Sequence, residues 1–163
     1  MDLRHFFRPD LKDLTAYQVN AVSHQIKLDA NESPFDLPNP ILQQIGDAIS
    51  KLSFHHYPDA TADQLRGTLA RHLNVPKDWL VMGNGSDELI QLIQQVFCDP
   101  ADTIAFPDPT FAMYAILAEG QGICPATIPL DKRWDFKAEQ FEEAIQNRNA
   151  RVLFISYPNN PTG

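Results

Sequence analysis

Cysteine is scarce in this chain: 163 residues contain two, Cys98 and Cys124, far apart and in neither a CxxC nor a metal-ligand spacing. They read as buried free thiols rather than a disulfide or a zinc site. No apolar run approaches the length a membrane-spanning helix needs. The N-terminal stretch MDLRHFFRPDLKDLTAYQ is broken by charges every few residues. It lacks the apolar core of a secretory signal, which leaves the cytoplasm as the expected compartment. Positive charge is also in deficit, with 13 lysines and arginines against 21 aspartates and glutamates and a formal net charge of −8. Such a surface repels a phosphate backbone, so neither nucleic acid nor membrane is an expected partner. The acidic excess is dispersed and reads as a solubilising surface. Internal repeats and low-complexity tracts are missing too.

The apolar pattern that remains is that of a layered fold. The first thirty-odd residues are polar and irregular, and IKLDANESPFDLPNP is an extended, proline-punctuated stretch suited to an arm over a neighbouring surface. PILQQIGDAISKLS then carries a helical stripe at Ile41, Leu42, Ile45, Ile49 and Leu52. TADQLRGTLARHLN repeats Leu65, Leu69 and Leu73 behind a cap at Thr61. Beyond these, strands are expected in WLVMG, TIAF, GICPATIPL and RVLFIS. The helices between them are SDELIQLIQQVF, opened by Ser86, TFAMYAILAEG, closed by Gly120, and KAEQFEEAIQNR. About four short apolar strands alternating with helices predict an α/β fold with a mostly parallel sheet covered on both faces. The expected divisions are an arm over 1–38, a helical segment over 39–75 and a sheet-containing domain over 76–163.

In such sheets ligands gather beyond the carboxyl ends of the strands, and the turns there are unusual. GNGSDEL offers two glycines and then a helix whose first amides face outward, an arrangement that holds a phosphate. It is not a dinucleotide fingerprint, because Glu88 stands where GxGxxG requires glycine, and it lacks the ending of a P-loop. In PDPTFAMY the prolines stiffen the loop around Phe111, which reads either as a core residue or as a platform for a flat ring. YPNNPTG places the amide of Asn160 between restricting prolines, where it can donate to an oxygen or accept from a donor. HHYPD presents Tyr57 on extended backbone before a proline. His55 and His56 are adjacent, point in opposite directions on an extended segment, and have no further ligands nearby, so no metal is expected. Together the turns suit a flat aromatic ring that bears a phosphate and a polar substituent, such as pyridoxal phosphate or flavin mononucleotide.

The ordered set LDANESP, YPD, GNGSDE, FPDPTFAMY and YPNNPTG resembles the fold-type I aminotransferases, and among them the histidinol-phosphate aminotransferase family. The resemblance covers nearly the whole chain. It implies pyridoxal 5'-phosphate as cofactor, an amino donor and a 2-oxo acid as substrates, and the first part of a large cofactor-binding domain. It further implies that the amides of Ser86 and Asp87 hold the cofactor phosphate. Phe111 then stacks on the ring and Asn160 bonds its 3' oxygen. Tyr57 would reach the cofactor of the partner subunit in a homodimer. Tyr17 lies near the substrate in such enzymes, and Asn31 lies close to the site.

Part of the family pattern is missing. The Schiff-base lysine, the aspartate for the ring nitrogen, a tyrosine for the 3' oxygen and the arginines for the cofactor phosphate and the substrate carboxylate all follow the NNPTG turn in the family. The lysines present are Lys12, Lys27, Lys51, Lys77, Lys132 and Lys137, and none ends a core strand near the expected site. The chain therefore reads as the N-terminal portion of a longer enzyme, inactive alone. Aromatic amino acid aminotransferases and threonine-phosphate decarboxylases share the scaffold and stay open as alternatives. A non-catalytic binding module and a flavin or nucleotide binder are alternatives of another class.

Overall fold

Strand β1, Thr103–Asp108, is the axis of the sheet. The computed structural model of the chain describes residues 4–12, 26 and 30–163. Among the described residues two strands flank β1, both parallel to it, in the order β2–β1–β3, with β2 at Cys124–Pro129 and β3 at Ala150–Leu153. Thr103 pairs with Cys124 on one side and with Ala150 on the other, and a register irregularity follows so that Ile104 meets Val152. The helices are α1 (Asn39–Ile49), α2 (Asp63–Leu73), α3 (Gly85–Phe97), α4 (Met113–Gln121) and α5 (Ala138–Arg148). They fall into two compact units, one containing Val81–Gly163 with the start of the chain and the other within Ala16–Leu80.

The alternation of β1 side chains builds the core of the first unit. Ile104 and Phe106 point to one face and are buried with Ile90 of α3, Tyr114 and Ala118 of α4, Ile123 and Phe154. Ala105 points to the other face and is buried with Ile128, Phe141 and Ala144 under α5. The small side chain at 105 fits a helix that approaches through its own Ala144. The result is three layers, with α3 and α4 on one side of the parallel sheet and α5 on the other.

Gln94 is the polar exception, fully buried on α3. Its Nε2 donates to the carbonyl of Tyr114 at 3.2 Å, and its Oε1 accepts from Gln121 Nε2 at 2.7 Å. The side chain thereby clamps both ends of α4 to α3. Gln94→Leu keeps the bulk but removes the acceptor and the donor, and should lower unfolding free energy by about 1–3 kcal/mol. A urea midpoint unchanged from wild type would show that the amide holds nothing.

In the second unit α1 forms where its apolar stripe predicts, but Ile41, Leu42, Ile45 and Ile49 remain exposed. The cap of α2 is not Thr61. Asp59 takes that role, accepting from the backbone N–H of Asp63 at 2.6 Å and from both the N–H and hydroxyl of Thr61. Those donors, the Asp63 amide foremost, hold the Asp59 carboxyl below its ordinary range. Arg66 fastens the unit by donating to the carbonyls of Leu80 and Lys77, at 3.0 and 3.1 Å.

Three further expectations are corrected. WLVMG forms no strand: Lys77–Trp79 is a 3-10 turn and residues 80–83 are unpaired, because no described strand lies alongside to receive their hydrogen bonds. Helix α4 runs through Gly120 and stops at Gly122, whose φ of +76° is the left-handed conformation that ends helices. Cys98 and Cys124 are free as expected, yet only Cys98 is partly buried, and Cys124 is exposed at the start of β2. Burial, with Asp102 nearby, pushes the Cys98 thiol up, away from the reactive thiolate. Near the start of the chain, Arg8 donates to the carbonyl of Gly120 at 3.3 Å.

Candidate functional site

The crevice of an open parallel sheet lies where successive connections leave in opposite directions. Here that point is between β1 and β3, since β2 lies on one side of β1 and β3 on the other. Residues 109–112 follow β1 and residues 154–163 follow β3, so both segments leave the same rim of the sheet. Near the end of β1, Pro107 is fully buried, and Phe154 beyond β3 donates its N–H to the carbonyl of Ala105 at 2.9 Å. Phe111 is half-buried and meets Tyr114 edge-on, with ring centroids 5.7 Å apart, while Tyr114 stacks on Phe154 at 4.7 Å. The aromatic at 111 is therefore braced from behind by a buried pair, with part of its surface left open.

A knot of hydrogen bonds joins the two loops. Asn159 Nδ2 donates to the carbonyl of Pro109 at 3.0 Å and to Thr162 Oγ1 at 2.8 Å. Its Oδ1 accepts from Thr110 Oγ1 at 2.6 Å, and its carbonyl accepts from the N–H of Gly163 at 2.7 Å. Asn160 is exposed, and among the described residues no protein group bonds its amide. The doubled asparagine thus divides its work, with Asn159 turned into the protein and Asn160 left for solvent or a ligand. Sequence reasoning missed Asn159, Thr110 and Thr162; the only signal was the repetition of asparagine itself.

The third turn opens α3. Ser86 and Asp87 are exposed on its first turn, which carries no side-chain cap, so its leading amides are left for an outside acceptor. Glu88 folds back instead, accepting from the backbone N–H of Asn84, and this directs its charge onto the loop. Gly85 has a φ of +84° with nothing within 4 Å of where a Cβ would stand, leaving an open approach to those amides. One turn further on, Ile90 is buried in the cluster that packs against Phe111. An uncapped helix start, a braced ring and a free amide fit the demands of a phosphorylated planar ligand: amides for the phosphate, a face for the ring and a donor for a ring oxygen.

Of the other expected site residues, Tyr57 and Asn31 belong to the second unit, and both are exposed. Asn31 has a left-handed φ of +52°, a conformation asparagine tolerates better than most residues. Tyr17 lies outside the described residues. The rings of His55 and His56 are 4.1 Å apart, and no cluster of metal-ligating side chains occurs among the described residues. No described helix is long and apolar enough to cross a membrane.

With this geometry in hand, the comparison with known proteins defines a class. The family model for aminotransferase class I and II matches residues 23–163, and the chain belongs to that family. Among individual relatives, histidinol-phosphate aminotransferase of Caldanaerobacter subterraneus is 38% identical over 161 residues, covering 99% of this chain and 46% of that protein. Histidinol-phosphate aminotransferase of Thermococcus gammatolerans is 37% identical over 153 residues, covering 94% and 44%. The chain thus spans under half the length of these relatives. Among solved structures, histidinol-phosphate aminotransferase of Sinorhizobium meliloti in complex with pyridoxal-5'-phosphate superposes with a TM-score of 0.73 at 24% identity, over 81% of this chain and 35% of that one. The aromatic aminotransferase of Pyrococcus horikoshii gives 0.70 at 22% identity, over 80% and 37%. At those identities the two structures establish the shared fold.

Proposed function

We propose that this chain carries part of the cofactor site of a pyridoxal 5'-phosphate-dependent aminotransferase that moves an amino group between L-histidinol phosphate and 2-oxoglutarate in histidine biosynthesis. The observation that carries the cofactor is the joining, at one rim of a parallel sheet, of the loop bearing Phe111 to the turn bearing Asn160. Identity of 38% over almost the whole chain to a histidinol-phosphate aminotransferase supports the substrate. Bound, the cofactor supplies an electron sink for the carbon that bears the amino group.

The residues of this chain bind and orient. Ser86 and Asp87 present their amides to the phosphate, an anchor remote from the reacting carbon. Phe111 fixes the plane of the ring, and the Asn160 amide donates to its 3' oxygen, holding negative charge there. Neither loop contains a lysine, so no residue of these two segments offers the amine for covalent attachment. Tyr57 reaches the phosphate held by a partner subunit, in a cytoplasmic homodimer, and Tyr17 and Asn31 lie on the substrate side. The arm over 1–38, the helical segment over 39–75 and the cofactor-binding part over 76–163 are the matching divisions.

The test titrates the complete gene product with pyridoxal 5'-phosphate and then compares amino donors with 2-oxoglutarate as acceptor. L-histidinol phosphate should exceed L-phenylalanine and L-tyrosine in kcat/KM by at least about tenfold. Absence of cofactor binding would overturn the class, and preference for the aromatic amino acids would overturn the substrate.

A further inference from the structure

We propose that Asn159 is a positioning residue for the cofactor site, the part that fixes the ring-bearing loop after β1 against the turn that carries Asn160. The proposal rests on the reading of the site given above and adds to it a residue that does not itself touch the ligand. Asn159 is half-buried at the junction, and each polar group of its side chain is engaged: two donations, to Pro109 and Thr162, and one acceptance, from Thr110. Two of these partners, Pro109 and Thr110, immediately precede Phe111, and the third lies in the same turn as Asn160.

The arrangement answers a mechanical need. The hydrogen-bonded pairing of β1 with β3 ends at Ala105 and Leu153, so the ladder does not hold the two segments together beyond that point. Beyond the end of β1 at Asp108, which is still paired with β2, residues 109–112 have no ladder partner, and residues 157–163 likewise run past the last rung of β3. A planar amide with opposed donor and acceptor ends bridges such segments in fixed orientation, which neither an aliphatic side chain nor a carboxylate does. An aspartate at 159 would accept from both threonines but would face the Pro109 carbonyl with negative charge. The sequential neighbour Asn160 is then held by its own backbone in the orientation the turn imposes.

Asn159→Ala separates this role from a purely local one. In the protein without cofactor, hydrogen exchange should quicken in the turn at 157–163 and also about tenfold across residues 108–114, because loss of the tie releases the far loop. Faster exchange confined to 157–163 would overturn the proposal. With pyridoxal 5'-phosphate, the dissociation constant should rise about tenfold and the visible circular dichroism of the bound ring should fall. In the Phe111→Ala background the same substitution should add less than about twofold, since the loop it positions no longer presents a ring. Independent, multiplying effects would overturn the coupling. Thr110→Val removes one bond of the knot and guards against a variant that fails to fold; it should raise the dissociation constant about threefold, and an unchanged value would count against the proposal. Failure of the wild-type gene product to bind the cofactor would sink the functional reading instead, leaving the exchange result to decide the tie alone.

Discussion

Ile104→Ala is expected to lower the free energy of unfolding by about 2–5 kcal/mol, in the upper half of that range. Ile104 has no exposed surface and sits on the central strand. Around it are Ile90 of α3, Tyr114 and Ala118 of α4, Phe106 of β1, and Ile123 and Phe154, all buried. Truncation removes apolar contact and leaves a space that few of these neighbours can fill. Tyr114 and Phe154 are stacked on each other, and the methyl group of Ala118 cannot reach into the space. Relaxation is therefore limited and the cavity cost is retained. Denaturant unfolding of the variant against wild type measures it, with the slope held constant. A loss below about 1 kcal/mol would mean that the core under α3 and α4 can collapse, contrary to its packing.

The same cluster explains why so much of the fold was legible. Short apolar segments at 103–106, 124–129 and 150–153 separated by helical stripes leave few alternatives to a parallel, two-faced sheet, and all three form. WLVMG has the same apolar character and fails, because a strand is defined by its neighbour's hydrogen bonds and not by its own side chains. Helix ends were less legible for a similar reason. Gly120 and Gly122 are indistinguishable as letters, and only backbone conformation shows which one terminates α4. At α2, Asp59 displaces Thr61 because a carboxylate can receive three donors where a hydroxyl receives fewer.

At the site, residue types were readable and orientations were not. Glycines before α3, an aromatic after β1 and an amide after β3 all announce themselves by composition, the last two at strand ends. The sequence NNP does not say which asparagine turns inward. That depends on Thr110 and the Pro109 carbonyl, some fifty positions earlier, whose proximity arises only once β1 and β3 are adjacent.

Asn160→Ala in the complete gene product should reduce kcat by about 10²–10³, the loss that accompanies removal of a single preorganised donor from developing negative charge. The proposed donation is to the 3' oxygen of the ring, where it would hold negative charge. Asn160 is suited to the task because its amide is exposed and, among the described residues, uncommitted to the protein. Its removal should therefore leave the fold intact. Exchange across 108–114 and the unfolding midpoint should match wild type, in contrast to Asn159→Ala. The absorption maximum of the bound cofactor should shift, because the oxygen loses its donor and its protonation changes. Asn160→Asp would place a carboxylate beside the same oxygen and should be at least as damaging as alanine. A kcat within about threefold of wild type, with an unmoved spectrum, would show that the exposed asparagine does not meet the ring. The face braced by Tyr114 and Phe154 would then have to orient its ligand without help from the turn after β3.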